Sequence, residues 1–105
     1  MINLQATTNL KNHLIDFDHW SDFHDDCYSI YNYKDKPCGL HFRCPGCKQI
    51  IAIDTGTRED DQGNIIPAWT IDFTSLTATP SILHMKEGKG CGWHGYLTKG
   101  ELKPC

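Results

Sequence analysis

Apolar residues in the first third of the chain recur at steps of three and four positions, which is the period of an α-helix. They are Leu10, Leu14, Phe17, Trp20, Phe23, Cys27 and Ile30 or Tyr31. Residues 10–33 contain no Gly or Pro, and Asn9 can serve as an N-cap. Because residues 27–33 alternate and are β-favouring, the pattern predicts a helix that ends near Asp26 and allows a strand after it.

From residue 36 onward, Gly and Pro recur so often that no long helix fits, and the pattern is that of short strands. The candidates are residues 40–43, 49–54, 68–73, 81–85, 93–98 and 101–103. Residues 98–101 have the composition of a tight hairpin turn. The predicted fold class is therefore α+β, an N-terminal helix followed by a small antiparallel β module.

A length of 105 residues suits one small domain whose core gives a thin stability margin. We therefore predict a single domain over residues 1–105, with an acidic helical segment at 1–36 and a β module at 37–105. The N-terminus has neither the basic start nor the apolar stretch of a secretory signal, and no apolar run is long enough to span a membrane. These features predict a cytoplasmic protein.

The formal net charge of −3 lies entirely in the first third, where six Asp face three Lys. A bias of this size is typical of a solvated face, but it also fits an acidic surface that meets a basic partner protein. The candidate partner-binding residues are Asp18, Trp20, Asp22, Asp25 and Asp26. Because nucleic-acid binders are usually basic, a nucleic-acid partner is disfavoured.

Two tetrapeptides carry metal-ligand spacing, Cys44-Pro45-Gly46-Cys47 and Cys91-Gly92-Trp93-His94. A spacer of two residues lets both donors of a pair converge on one cation, and three thiolates with one imidazole form a standard structural set for Zn²⁺. The sequence therefore predicts a zinc site at Cys44, Cys47, Cys91 and His94. The alternative is that these residues are buried thiols and a core histidine.

A third pair, Cys38 and His41, has the same Cys-x-x-His spacing and lies just before the first tetrapeptide. With Cys27, Cys105 or His84 it could form a second metal site, for which Cys105 is the main candidate, or replace a member of the first. The alternative is that residues 40–43 form a strand that leads into the first tetrapeptide, with Cys38 and His41 in buried or surface positions.

Four protein ligands close a zinc site to water, whereas catalytic zinc keeps one position open. The sequence also has no His-x-Glu before its cysteines, no His-Glu-x-x-His, and no nucleophile elbow, phosphate loop or dinucleotide motif. These observations predict that the chain is not an enzyme and has no catalytic residues.

Four motifs follow one another along the chain: residues 42–47, Trp69-Thr70, residues 77–83, and residues 91–97 followed by Gly100. In this order they resemble an uncharacterised family of small phage and bacterial proteins, some of which carry the misleading label ammonia monooxygenase. The resemblance covers residues 40–105 and implies a small, mainly β, zinc-ribbon-like domain that is often phage-encoded. It agrees with a zinc-binding β module at 37–105 and, if the protein is phage-encoded, with a location in the host cytoplasm.

The predicted function is a non-catalytic, zinc-stabilised protein-binding domain, a phage protein that engages or inhibits a host factor. Two alternatives come from other classes. One is a nucleic-acid-binding zinc module that stacks bases on Trp69, Phe73, Trp93 and Tyr96. The other is a metal-dependent hydrolase.

Overall fold

The computed structural model describes residues 3–15, 19–59, 61–84 and 90–105. Among these residues the regular elements are eleven β-strands and one 3-10 turn at Trp20–Asp22. No helix in the described segments has the length and apolar character of a membrane span. The strands are β1 (Thr8–Asn9), β2 (Asn12–His13), β3 (Cys27–Tyr33), β4 (Lys36–Arg43), β5 (Ile50–Asp54), β6 (Thr57–Glu59), β7 (Ile65–Pro67), β8 (Thr70–Asp72), β9 (Thr77–Leu83), β10 (His94–Thr98) and β11 (Glu101–Pro104).

One sheet has five strands in the order β1-β11-β10-β9-β8, and every pair in it is antiparallel. β10 and β11 form a hairpin whose turn residues Lys99 and Gly100 have φ of 50° and 80°. Glycine adopts this left-handed backbone at no steric cost, which explains why the sequence places it in the turn.

The second sheet has four strands in the order β2-β3-β4-β5. β2 runs parallel to β3, whereas β3, β4 and β5 form an antiparallel meander. Its first turn places Lys34 and Asp35 at φ of 52° and 64°, as a two-residue hairpin turn requires. β6 and β7 form a separate two-stranded hairpin.

The core draws on both sheets. Leu40 and Phe42 of β4 belong to the same buried cluster as Leu97 of β10 and Leu102 of β11. Trp93, just before β10, is completely buried, and its indole Nε1 donates a hydrogen bond of 3.1 Å to the carbonyl of Ala6. The segment that leads into β10 is therefore fixed in the interior.

The α+β prediction is wrong, because the described part of residues 10–26 contains a short strand and a 3-10 turn where a helix was expected. The backbone amides of Lys11 and Asn12 both donate to the Asp26 carbonyl, and the amide of Leu14 donates to Tyr28. Since the carbonyls of Asp26 and Tyr28 accept the hydrogen bonds of these amides, the amides do not require partners within a helix. Residues 16–18, which include the predicted apolar position Phe17, lie outside the described residues.

Candidate functional site

Four side chains converge between the two sheets: Cys44, Cys47, His84 and Cys91. Their ligand atoms all lie within 4.8 Å of one another. The Sγ atoms of Cys44 and Cys91 are 3.6 Å apart, and Nδ1 of His84 lies 3.5 Å from Sγ of Cys47 and 4.0 Å from Sγ of Cys91. This Cys₃His cluster can hold a metal ion.

The first two ligands come from a tight turn at the end of β4. The amide of Lys48 donates to the Cys44 carbonyl at 2.8 Å, and the amide of Cys44 donates to Gln49 at 2.7 Å. Gly46 is buried against Cys91, with a hypothetical Cβ only 3.0 Å from the Cys91 Sγ. A side chain at this position would crowd the ligands, which explains the glycine between the two cysteines.

The other two ligands lie at neighbouring strand ends, since His84 follows β9 and Cys91 precedes β10. The His84 amide donates to the Trp93 carbonyl and the Gly92 amide donates to the His84 carbonyl, both at 2.8 Å. Gly92 has φ of 89°, a left-handed conformation that turns the chain from Cys91 into this ladder. The β9–β10 pairing thus brings both side chains to the cluster.

A metal ligand must be a neutral imidazole or a deprotonated thiol. The surroundings of the cluster favour these states for His84 and Cys91. Burial lowers the pKa of His84, so its imidazole stays neutral and can coordinate through Nδ1. Burial opposes ionisation of Cys91, but hydrogen bonds from the Trp93 amide and from the Cys44 and Cys47 thiols lower its pKa. For Cys44, burial dominates and raises the pKa to about 12, although the amides of Cys47 and Gly46 donate to its sulfur. A bound cation would supply the charge that stabilises this buried thiolate.

His94, the fourth ligand expected from the sequence, lies outside this cluster. Its ring is on the exposed face of β10, where Nε2 lies 2.7 Å from the hydroxyl oxygen of Ser81 on β9. Strand alternation explains the placement, because Trp93 points into the core and the next side chain must point the opposite way. The structure therefore brings together three of the four predicted ligands, adds His84, and pairs His94 with a serine.

Ser81 lies in an irregular part of the β9–β10 ladder. His94 pairs with Leu83 and Gly95 with Ile82, but the next pair is Leu97 with Ala78. β9 therefore has three residues, Thr79 to Ser81, opposite the single residue Tyr96. Such bulges are common next to functional sites, where they redirect side chains.

An open groove lies on the same exposed face of the sheet. It has a volume of about 610 Å³ and is lined by Asn9, Tyr96, Thr98, Lys99, Glu101, Lys103 and Pro104. Tyr96, two residues after His94 on β10, is half-exposed. An ion pair of 2.9 Å joins Lys103 and Glu101. The groove thus combines apolar rings with charged groups, and Tyr96 is its lining residue nearest in sequence to His94.

The residues of the predicted second metal site lie elsewhere. The Cys38 thiol contacts the Tyr31 carbonyl at 3.4 Å, and the His41 ring packs on the Tyr31 ring with centroids 4.7 Å apart. Cys105 is exposed. The metal-binding geometry found among the described residues includes none of the three.

The acidic candidates for partner binding make local contacts. Asp22 accepts a hydrogen bond from the His19 amide, Asp25 forms an ion pair of 2.9 Å with Lys48, and Asp26 accepts a bond from the Asn12 side chain. The Trp20 backbone lies in the 3-10 turn. Asp18 lies outside the described residues.

Comparison with known proteins gives one family. A family model described as "Bacterial ubiquitination-like system serine protease (BubE)" matches residues 16–105. No curated protein and no solved structure matches the chain. The description is that of an enzyme family, so the expectation that the chain is not an enzyme is wrong. Sequence reasoning gave no role to Ser81 and named His84 only as an alternative member of a metal site, because neither residue has a spacing that marks its role.

Proposed function

Since the chain belongs to the BubE family of bacterial ubiquitination-like system serine proteases, we propose that it is a serine peptidase in which Ser81 is the nucleophile and His94 the general base. The observation that carries this proposal is the contact of 2.7 Å between the His94 Nε2 and the Ser81 Oγ. A hydrogen bond of this length is what proton transfer from a nucleophilic hydroxyl requires.

The chemistry follows from the pair. The Ser81 oxygen attacks the carbonyl carbon of a peptide bond while His94 Nε2 takes its proton, and His94 then gives that proton to the leaving amine. Water hydrolyses the resulting acyl ester by the same sequence. The His94 imidazole is presented by a strand that is paired on both sides, with β9 and β11, and its own carbonyl accepts the Cys105 amide at 3.0 Å.

The groove that Tyr96 lines, two residues along β10 from His94, supports binding of an extended polypeptide. It is open, as a protein substrate requires, and Tyr96 and Pro104 offer apolar rings to substrate side chains. The protein partner is then the substrate itself, a component of a bacterial ubiquitination-like system.

We further propose that the Cys₃His cluster holds Zn²⁺. Tetrahedral zinc with bonds of about 2.3 Å to sulfur and about 2.0–2.1 Å to nitrogen sets sulfur–sulfur distances near 3.8 Å and sulfur–nitrogen distances near 3.5 Å. The observed 3.6 Å and 3.5 Å fit this ion, whereas the 4.0 Å between His84 Nδ1 and Cys91 Sγ is about 0.5 Å longer than tetrahedral zinc sets and would shorten on binding. Four protein ligands complete its coordination, so the ion supplies folding energy and no step of the peptide cleavage is assigned to it.

A fluorophosphonate probe, which forms a covalent bond with activated serines, tests the pair directly. The full-length, metal-loaded chain should gain one adduct on Ser81, located by peptide mass spectrometry. Ser81→Ala should abolish labelling, and His94→Gln should slow it by at least about 10³-fold, because the hydroxyl loses its base.

Matched controls are Ser21→Ala and His24→Gln, which change an exposed serine and an exposed histidine of the N-terminal third. Both should label at the wild-type rate. Labelling that persists in Ser81→Ala, or that is lost equally in the controls, would exclude Ser81 as the nucleophile.

A further inference from the structure

We propose that the metal cluster positions the Ser81–His94 pair, so that His84 and Cys91 act as positioning residues for catalysis. This inference rests on the proposed function. It adds that the ion sets the reactivity of the serine without touching the substrate, in addition to stabilising the fold.

The sequence spacing links the two sites. His84 follows Ser81 by three residues on β9 and its extension, and Cys91 precedes His94 by three residues before β10. Each member of the serine–histidine pair is therefore joined to one metal ligand through a short, extended piece of backbone. An ion that holds His84 and Cys91 together closes the end of the same strand pair that carries Ser81 and His94.

The hydrogen bonds show how the constraint would be transmitted. Beyond the Leu83–His94 pair, the ladder continues through the His84 amide to the Trp93 carbonyl and through the Gly92 amide to the His84 carbonyl, both at 2.8 Å. The backbone from the metal ligands to the pair is thus continuous and paired.

On the other side of Ser81 the ladder is interrupted. The register shift between Gly95 and Leu97 leaves Thr79 to Ser81 opposite Tyr96 without regular pairing to β10, although Thr79 still pairs with Thr70 of β8. Because the pairing of β9 with β10 resumes only at Ile82, the position of Ser81 relative to His94 depends on Ile82 to His84, and so on the metal end. Since a misplacement of about 1 Å in a catalytic group can lower a rate by about 10²-fold, a small change at this end has a large effect.

The cluster also anchors this end to the second sheet. Cys44 and Cys47 belong to the turn after β4, which pairs with β3 and β5. The ion would therefore connect the strand pair of the five-stranded sheet to a separate, internally paired sheet. This gives the positioning residues a rigid support.

The experiment uses the full chain in three states: Zn²⁺-loaded, chelated, and reloaded with Cd²⁺, a larger ion that also prefers thiolate ligands. Metal content is measured by native mass spectrometry and folding by circular dichroism. The reactivity of Ser81 is measured as its labelling rate with fluorophosphonate. The Ser81–His94 hydrogen bond is measured independently of reactivity, from the ¹⁵N shifts of the His94 imidazole.

We expect Cd²⁺ to leave the chain folded while slowing Ser81 labelling several-fold and shifting the His94 nitrogen signals. We expect chelation to slow labelling by about 10²-fold or more. His84→Cys keeps four ligands and should behave like the Cd²⁺-loaded protein. Cys38→Ser, a cysteine outside the cluster, is the control and should leave both readouts unchanged.

The proposal is overturned if the chelated chain stays folded with unchanged labelling and His94 signals. If chelation unfolds the chain, it is overturned when the folded Cd²⁺-loaded protein and His84→Cys both retain the wild-type rate and spectrum. Absence of Ser81 labelling in the Zn²⁺-loaded wild type would refute the proposed function instead. The His94 shifts would still report whether the ion holds the pair.

Discussion

Gly95 provides the sharpest test of the packing beneath the serine–histidine pair. It follows His94 on β10, faces the interior, and pairs with Pro104 on β11 and Ile82 on β9. In Gly95→Ala the new Cβ would overlap the Lys103 carbonyl oxygen and would lie 2.5 Å and 2.7 Å from two carbons of the Trp93 ring. Contacts below 3.0 Å are essentially never tolerated, so the backbone or the indole must move.

Neither neighbour can move easily. The Lys103 carbonyl belongs to the β10–β11 hairpin, and Trp93 is fully buried with its Nε1 bonded to Ala6. Overpacking of this kind costs about 1–3 kcal/mol, and loss of the indole hydrogen bond costs about 1 kcal/mol more. We therefore expect the free energy of unfolding of Gly95→Ala to fall by about 3 kcal/mol, which lowers the melting temperature by roughly 10–20 °C.

The assay is thermal melting of the metal-loaded chain followed by circular dichroism. Gly56→Ala is the matched control, because its Cβ would meet only the Asp54 side chain at 3.1 Å, and that side chain can shift at the cost of at most its exposed hydrogen bond from the Gly56 amide. The control should lose at most about 1 kcal/mol, well below the loss expected for Gly95→Ala. If Gly95→Ala melts together with the control, the packing of Trp93 under β10 and the pairing of β10 with β11 are incorrect.

Two further predictions concern stability. Trp93→Phe removes the hydrogen bond to Ala6 and part of the core volume, so denaturant titration should show a loss of about 2 kcal/mol in the free energy of unfolding. The Ser75 and Thr74 amides donate to Asp72 and hold the pKa of its carboxyl below the ordinary value. The Asp72 pKa is lower in the folded chain than in the unfolded chain. The resulting stabilisation is therefore fully present at pH values above the unfolded-state pKa, and it is lost as the pH falls through the folded-state pKa. Denaturant midpoints measured from neutral to acidic pH should therefore change less in Asp72→Asn than in the wild type, and an identical acid dependence would refute the assignment.

The β part of the fold was predictable because its turn residues are local signals. The turn at residues 98–101 lies where Gly100 allows it, and the predicted strands 40–43 and 49–54 fall on β4 and β5. Residues 27–33 form β3, as their alternation allowed. Residue 85, the predicted end of another strand, lies outside the described residues.

The strand and 3-10 turn that the structure has in place of the predicted helix could not be predicted from the spacing of apolar residues. Leu10 and Phe23 are both buried, as the periodic pattern implies, but they reach the interior from separate segments. The Leu10 amide donates to Gly100 on the five-stranded sheet, whereas the Phe23 carbonyl accepts a hydrogen bond from Arg43 on the four-stranded sheet. Long-range partners of this kind override helical periodicity, and a single sequence does not reveal them.

Long-range strand pairing also decides which histidine, His94 or His84, lies in the metal cluster. Cys-x-x-His predicts a shared cation only when the spacer forms a compact turn, but Gly92 and Trp93 are hydrogen-bonded to His84 in a ladder. Their extended course carries His94 to the opposite face of the sheet. His84 becomes a ligand through strand pairing, which its position in the sequence does not indicate. The phage-family resemblance and the acidic partner surface stay predictions.

The position of the four ligands along the chain has a consequence for folding kinetics. Cys44 and Cys47 are close in sequence and could bind an ion early, whereas Cys47 and His84 are separated by all of β5 to β9. An ion that joins them would close a ring of chain and, by analogy with a disulfide, would lower the entropy of the unfolded state by an amount equivalent to about 4 kcal/mol at 25 °C. A chain that binds the ion at Cys44 and Cys47 would restrict this loop once His84 joins, so we expect the two sheets to associate faster when the metal is present during folding.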